Sequence, residues 1–283
     1  MPRFWICVKG EFKRVPQEWS LIHEIFRKYG CNGTLEEENP PAMTGYLLEE
    51  ENVNEKIADL GRELLDNGAK AVHFSRIAEE DWAEAWKEFF KPRELGKKFF
   101  IVPSWEETIE IPEGRKKIVL DPGQAFGTGE HDTTRLCLEF MEEIVNPGDV
   151  VCDIGTGSGI LAIAASLLGA GKVYATEKDG VAYLAAKENF LRNGADVELF
   201  QTDSIPDEIP TCNVIVSNLY SELLISFAPK VASKLVANGY WIISGVIADS
   251  WGKVEQAITA ENMRLVDKRE REGWIAALFQ KSN

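Results

Sequence analysis

The order of apolar and polar positions divides the chain into two regions of different rhythm. In the first 78 residues, short alternating runs and amphipathic stretches take turns. Residues 4–8 alternate as a half-buried strand does. Residues 16–29 carry Trp19, Ile22, His23, Ile25 and Phe26 at helical spacing, and Gly30 closes the helix. Strands are predicted at 31–35 and 43–48, with a break at Asn39-Pro40-Pro41 between them. Residues 54–67 place Ile57, Leu60, Leu64 and Leu65 on one helix face ahead of Gly68, and 71–77 read as a last strand. The resulting β-α-β-β-α-β order predicts a small ferredoxin-like α+β domain.

From residue 150 onward the pattern changes to buried strands alternating with longer helices. Strands are predicted at 150–154, 172–177, 197–201, 212–218 and 239–244. Helices begin near Gly159 and at 180–193, 223–235 and 250–260, and two antiparallel strands, 263–271 and 274–280, finish the chain. Alternation of this kind predicts a Rossmann-like α/β domain: a parallel sheet with helices on both faces and its ligand beyond the carboxyl ends of the strands. Between the two regions, 79–90 reads as a helix ending before Pro92, followed by strands near 99–105 and 117–121. Trp82, Trp86 and Trp105 read as packing anchors, with partner contact as the alternative. The expected domains are residues 1–78, a connecting segment 79–116, and 117–283.

Charge and cysteine usage narrow the class. The formal net charge is −15, from 46 acidic and 31 basic side chains. That disfavours direct nucleic-acid binding, which needs a phosphate-neutralising surface, and suits a basic partner. Five cysteines form no C-x-x-C pair, and three histidines are too few for a histidine-rich metal centre. No apolar run reaches membrane-spanning length and no signal-peptide core stands at the start, so no membrane partner and a cytoplasmic location are expected.

Candidate chemistry gathers at the ends of the later strands. Gly155-Thr156-Gly157-Ser158-Gly159 joins a buried strand to an apolar helix, and such a turn offers backbone N–H groups and a positive helix end. Asp153, two residues ahead of it, would oppose a diphosphate but could help to hold a cationic amino-acid moiety. This favours S-adenosylmethionine over a nicotinamide dinucleotide. Glu177 ends the next strand, where a carboxylate accepts ribose hydroxyls. Asp203 ends the third, in reach of an adenine amino group. Asn218 ends the fourth, where its carbonyl and the Leu219 backbone carbonyl would orient an amine for in-line attack. The bland readings are surface acids at 177 and 203 and a turn asparagine at 218. An earlier glycine loop, 121–134, with Asp132 or Thr133 as N-cap of the following helix, is expected to fold over the cofactor. His131 there reads as loop-structuring or as a proton carrier.

Taken together, 121–134, 153–159 and 217–223 resemble the ribosomal protein L11 methyltransferase (PrmA) family, above all in Ala125-Phe-Gly-Thr-Gly-Glu-His-Asp-Thr-Thr134. The resemblance extends upstream through Asp81-Trp82, Trp86, Phe90, Pro92, Gly96 and Val102-Pro-Ser-Trp105, and downstream through Ser244-Gly-Val-Ile247. It implies a seven-stranded class I methyltransferase domain using S-adenosyl-L-methionine. It also implies a small domain that recognises the ribosomal protein, and methylation of lysine side chains and an N-terminal amine. Carried over by motif, Thr134, Gly155, Glu177 and Asn218 are cofactor contacts. Glu177 stands where aspartate is usual, and Asn218-Leu-Tyr-Ser replaces the frequent Asn-Ile-Leu-Ala. The alternatives are a methyltransferase of the same fold acting on glutamine or lysine of another protein, a nicotinamide-dependent oxidoreductase, and a non-catalytic cofactor-binding adaptor.

Overall fold

The computed structural model describes residues 4–14, 16, 19–31, 34–38, 40–49, 52–78, 90–106, 108–121, 127, 129 and 131–282. The chain divides into two compact units, Met1–Phe89 and Phe90–Asn283. The expected helix at 79–90, with Trp82 and Trp86, lies outside the described residues except for Phe90, which is buried and rings against Trp105.

The first unit contains β1 (Phe4–Phe12), α1 (Trp19–Lys28), β2 (Thr34–Glu38), β3 (Pro41–Leu48), α2 (Val53–Asp66) and β4 (Ala69–Ala78), with sheet order β2-β3-β1-β4. The strands pair antiparallel with β1 between β3 and β4, the arrangement expected from the element order. Ile6, Val8 and Phe12 of β1 share a core with Ile22, Ile25 and Phe26 of α1 and Leu60 and Leu64 of α2. Several strand boundaries differ from the sequence reading: β1 runs on to Phe12, β4 covers Ala69–Ala78, and the starts of β2 and β3 shift for identifiable reasons. Gly30 turns left-handed, and the Gly30 and Cys31 amides bond back to Arg27 and Phe26, so Cys31 belongs to the helix cap and β2 starts at Thr34. Pro41 opens β3 instead of preceding it, because the first residue of a strand tolerates a missing N–H.

The second unit begins with a small sheet of β5 (Arg93–Leu95), β6 (Phe99–Pro103) and β7 (Lys116–Leu120). The turn between β5 and β6 wraps a carboxylate. Lys97 and Lys98 donate backbone N–H bonds of 2.9 and 2.7 Å to Glu142, and a Cβ on Gly96 would fall on that carboxylate. Glu142 lies on α3 (Asp132–Ile144), so the small sheet is tied to the helix that enters the main domain.

The main sheet has seven strands in the order β10-β9-β8-β11-β12-β14-β13. They are β8 (Val150–Ile154), β9 (Lys172–Glu177), β10 (Val197–Gln201), β11 (Cys212–Asn218), β12 (Leu235–Ile247), β13 (Met263–Arg271) and β14 (Trp274–Lys281). The first five pair in parallel, and β14 runs antiparallel to both neighbours. Between them run α4 (Ile160–Leu168), α5 (Gly180–Asn193), α6 (Ser221–Lys234) and α7 (Ala248–Thr259). Val151, Cys152 and Ile154 are buried, and so is every residue of α4 from Ile160 to Ala165, which is why both read as continuous apolar runs. The chain winds outward from β8 to β10, then returns to β11 on the other side. The switch point therefore lies between the carboxyl ends of β8 and β11, and every predicted site residue at a strand end lies along that edge. Among the described residues, no helix is long and apolar enough to cross a membrane.

Candidate functional site

The glycine turn after β8 is held from several sides. Gly155, Gly157 and Gly159 all have positive φ, at 71°, 56° and 88°, which side chains with a Cβ rarely adopt. The Gly155 and Thr156 amides both donate to the Thr176 carbonyl of β9 at 2.9 Å. The Gly157 amide donates to Glu177 Oε2 at 2.9 Å, and Glu177 Oε1 accepts the Asp179 amide at 2.9 Å. Each carboxylate oxygen thus spends one acceptor position on backbone and keeps another for a ligand hydroxyl. A Cβ on Gly155 would come to 2.6 Å from the Leu219 side chain, so this glycine admits the acceptor-side residue against the turn.

Asp153 lies fully buried beneath this turn. Its Oδ2 accepts the Thr156 hydroxyl at 2.6 Å, and its Oδ1 has no hydrogen-bond partner among the described residues. Burial pushes its carboxyl up to about 7; the Thr156 bond opposes that shift and the nearby Glu177 charge adds to it. From beneath the turn, a buried carboxyl acts on a ligand through its charge, which favours a cationic group over a diphosphate. Asp203 stands apart: its side chain is 69% exposed and pairs with Lys178 at 3.5 Å. The Thr202 and Ser204 hydroxyls, 3.0 Å apart, shape the bend on which it sits.

At the end of β11, Asn218 Nδ2 donates to the Thr133 and Thr134 hydroxyls at 3.1 and 3.3 Å. Both threonines are buried, so Thr134 reaches the site through Asn218. With the nitrogen anchored, no hydrogen bond among the described residues ends on the Asn218 carbonyl oxygen. The Leu219 amide is fixed by the Ser244 carbonyl at 3.0 Å. Its own carbonyl lies beside Gly245, where a Cβ would come to 2.5 Å. Gly245 has φ 88°, and its lack of a side chain lets its backbone approach that oxygen closely. Tyr220, 53% exposed, and Leu223 follow on the solvent side.

The N-cap of α3 is His131 and not Asp132 or Thr133. Its Nδ1 accepts the Thr133 amide at 3.3 Å and lies 2.8 Å from the Thr133 hydroxyl, while its ring meets Trp274 edge-on. An imidazole nitrogen serves here as a cap acceptor, which supports the loop-structuring reading over the proton carrier. Of the glycine loop before it, residues 122–126, 128 and 130 lie outside the described residues. The structure therefore joins Asp153, Gly155, Gly157 and Glu177 in one corner and Thr134, Asn218 and Leu219 in another. Sequence reasoning missed Gly245 and two asparagines of α5, Asn189 and Asn193; polar, weakly helix-forming residues four apart inside a helix were the available signal.

Comparison with known proteins matches this geometry to one family. Residues 17–282 match the family described as ribosomal protein L11 methyltransferase (PrmA). A ribosomal protein L11 methyltransferase of Caldanaerobacter subterraneus subsp. tengcongensis is 38% identical over 255 residues, covering 87% of this chain and 82% of the relative. One from Pelotomaculum thermopropionicum is 37% identical over 291 residues, covering 92% and 94%. The crystal structure of a ribosomal protein L11 methylase from Lactobacillus delbrueckii subsp. bulgaricus superposes with a TM-score of 0.63 at 36% identity, covering 68% of this chain and 99% of that one. The chain belongs to the ribosomal protein L11 methyltransferase (PrmA) family, and its second unit has the class I methyltransferase fold.

Proposed function

We propose that this chain methylates amino groups of ribosomal protein L11, on lysine side chains and the N-terminal amine, with the first unit recognising the protein substrate. Family membership makes it an S-adenosylmethionine-dependent protein methyltransferase. The observation that carries the positioning of the acceptor nitrogen is Asn218. Thr133 and Thr134 take its amide nitrogen, which leaves its carbonyl oxygen, with that of Leu219, to accept from an incoming nitrogen. Two acceptor oxygens hold two N–H groups of an amine and aim its lone pair. A carboxamide –NH2 offers the same two N–H groups, so the family's activity, and not this pair alone, favours an amine as acceptor.

The cofactor supplies an electrophilic methyl group on a sulfonium, already a good leaving group. In this reading Glu177 accepts the ribose hydroxyls, the Gly155–Gly159 turn takes the backbone contacts, and Asp153 favours the amino-acid ammonium from below. Asp203 takes the adenine edge. With the cofactor bound, the acceptor nitrogen would bond to its methyl carbon and the carbon–sulfur electron pair would leave on sulfur. Asn218 and Leu219 hold the incoming amine along that line. The acceptor must arrive neutral, and a lysine ammonium first gives a proton to solvent. The chain's net charge of −15 suits a basic substrate.

Incubating the full chain with labelled cofactor and purified ribosomal proteins, then mapping the label by mass spectrometry, tests the proposal. Label on lysine and α-amino nitrogens of L11 is expected. Label confined to glutamine, or to another ribosomal protein, overturns it.

A further inference from the structure

Asn189 has no part in the chemistry above, yet its side chain is the most completely bonded polar group near the site. It lies on α5 with no exposed surface. A buried carboxamide is costly unless its hydrogen bonds to water are replaced. Here they all are. Oδ1 accepts the Asp121 amide at 2.9 Å and an Arg192 guanidinium N–H at 3.1 Å. Nδ2 donates to the Asp121 carbonyl at 3.0 Å and to the Ser158 carbonyl at 2.9 Å. Two donors converge on the oxygen and two carbonyls on the nitrogen, so only one orientation of the amide satisfies the site.

One helical turn later, Asn193 makes the matching pair with Val119. Its Oδ1 accepts that amide at 2.8 Å and its Nδ2 donates to that carbonyl at 2.7 Å. Four residues apart on one helix face, the two side chains stand where a further strand would pair with β7 and its continuation. They differ in one respect. Asn193 sends its spare donor to its own helix, at the Asn189 carbonyl, whereas Asn189 sends its spare donor to Ser158, inside the glycine turn. Ser158 in turn gives its hydroxyl to the Gly127 carbonyl, in the segment that starts at Asp121.

We infer that Asn189 is a positioning residue for cofactor binding, acting through Ser158 to set the glycine turn against Asp121 and the segment leading to α3. The inference rests on reading 155–159 as the cofactor turn. Three positive-φ glycines give that turn little stiffness of its own. Thr176 and Glu177 hold its amides from the β9 side, and Asn189 holds a carbonyl from α5.

The test compares Asn189→Ala with Asn193→Ala in the full chain. Both remove a two-bond clamp on the same strand, so both should lower the melting temperature. Only Asn189→Ala should raise the calorimetric Kd for S-adenosylmethionine, by about tenfold, with kcat at saturating cofactor within about twofold of the parent. Asn189→Asp keeps the acceptor and removes both donors, and it should weaken binding equally; it carries the comparison if the alanine variant does not fold. Equal affinities for the 189 and 193 variants, or parent-like affinity in Asn189→Asp, overturn the inference. Absence of cofactor binding by the parent chain would instead overturn the reading of the turn.

Discussion

The cofactor corner and the acceptor corner lie at neighbouring strand ends, but they are made differently. After β8 the turn is held by groups close in sequence: the Gly157 amide by Glu177 across 20 residues and the Thr156 hydroxyl by Asp153 across three. After β11 the contacts are side-chain and carbonyl oxygens, and what aims them comes from far away. Asn218 is oriented by threonines 84 and 85 residues earlier, and the Leu219 backbone has room only because a glycine faces it from the next strand. In the proposed reading, local backbone geometry would meet the cofactor, and a side chain whose direction the tertiary structure sets would meet the acceptor.

Substitutions should separate the two corners by the parameter they change. Asn218→Ala should cost the most, about a hundredfold or more in kcat with a cofactor Kd within a few-fold of the parent, because the amine loses one of its two guides. An equal loss in Kd would place Asn218 in the cofactor corner alone. Glu177→Ala should do the reverse, raising the cofactor Kd by about a hundredfold as hydrogen bonds to a charged acceptor vanish and the Gly157 amide is released. Isothermal calorimetry measures it, and an unchanged Kd removes Glu177 from the ribose role.

Gly245→Ala should have a smaller effect, about tenfold in kcat. The new Cβ meets the Leu219 backbone and displaces its carbonyl, while the glycine turn stays in place. Turnover unchanged in that variant would remove the Leu219 carbonyl from the acceptor corner. The smallest effect concerns pH. Asp153 must be ionised to favour a cationic ligand, and its carboxyl is raised from 3.8 to about 7. Cofactor Kd should therefore rise by about fivefold between pH 7 and pH 6, and Asp153→Asn should flatten that slope. The stability sign is opposite. A raised carboxyl contributes stability below its unfolded value, and that contribution is lost as pH rises through about 7. Asp153→Asn should then melt higher than the parent at pH 8, with the gap closing towards pH 4. A parent-like profile in both experiments would show that the buried carboxyl does not titrate in this range.

Much of the fold was legible because each element repeats a short-range pattern. The alternation in β1, the apolar run of β8 and the Gly155–Gly159 turn can each be read within a dozen residues. The seven main strands follow from the order in which such elements occur. The boundaries at 31–35 and at Pro41 shifted because helix-cap hydrogen bonds and strand pairing decide them, and single-residue preferences do not. His131 as N-cap was missed for a similar reason: aspartate and threonine are the commoner caps, but the ring packed against Trp274 brings its nitrogen to the Thr133 amide.

By itself the sequence determined the local chemistry: three glycines that let a turn bend, carboxylates at the ends of strands, and an asparagine where the chain leaves β11. Only the tertiary structure decided which way those groups face. Burial put Asp153 out of reach of solvent and raised its carboxyl, Thr133 and Thr134 turned the Asn218 carbonyl outward, and Asn189 and Asn193 of α5 became a substitute strand beside β7. Each of these depends on groups brought together across tens of residues, and a hydrogen bond formed at such separation leaves no periodicity in the chain to be read.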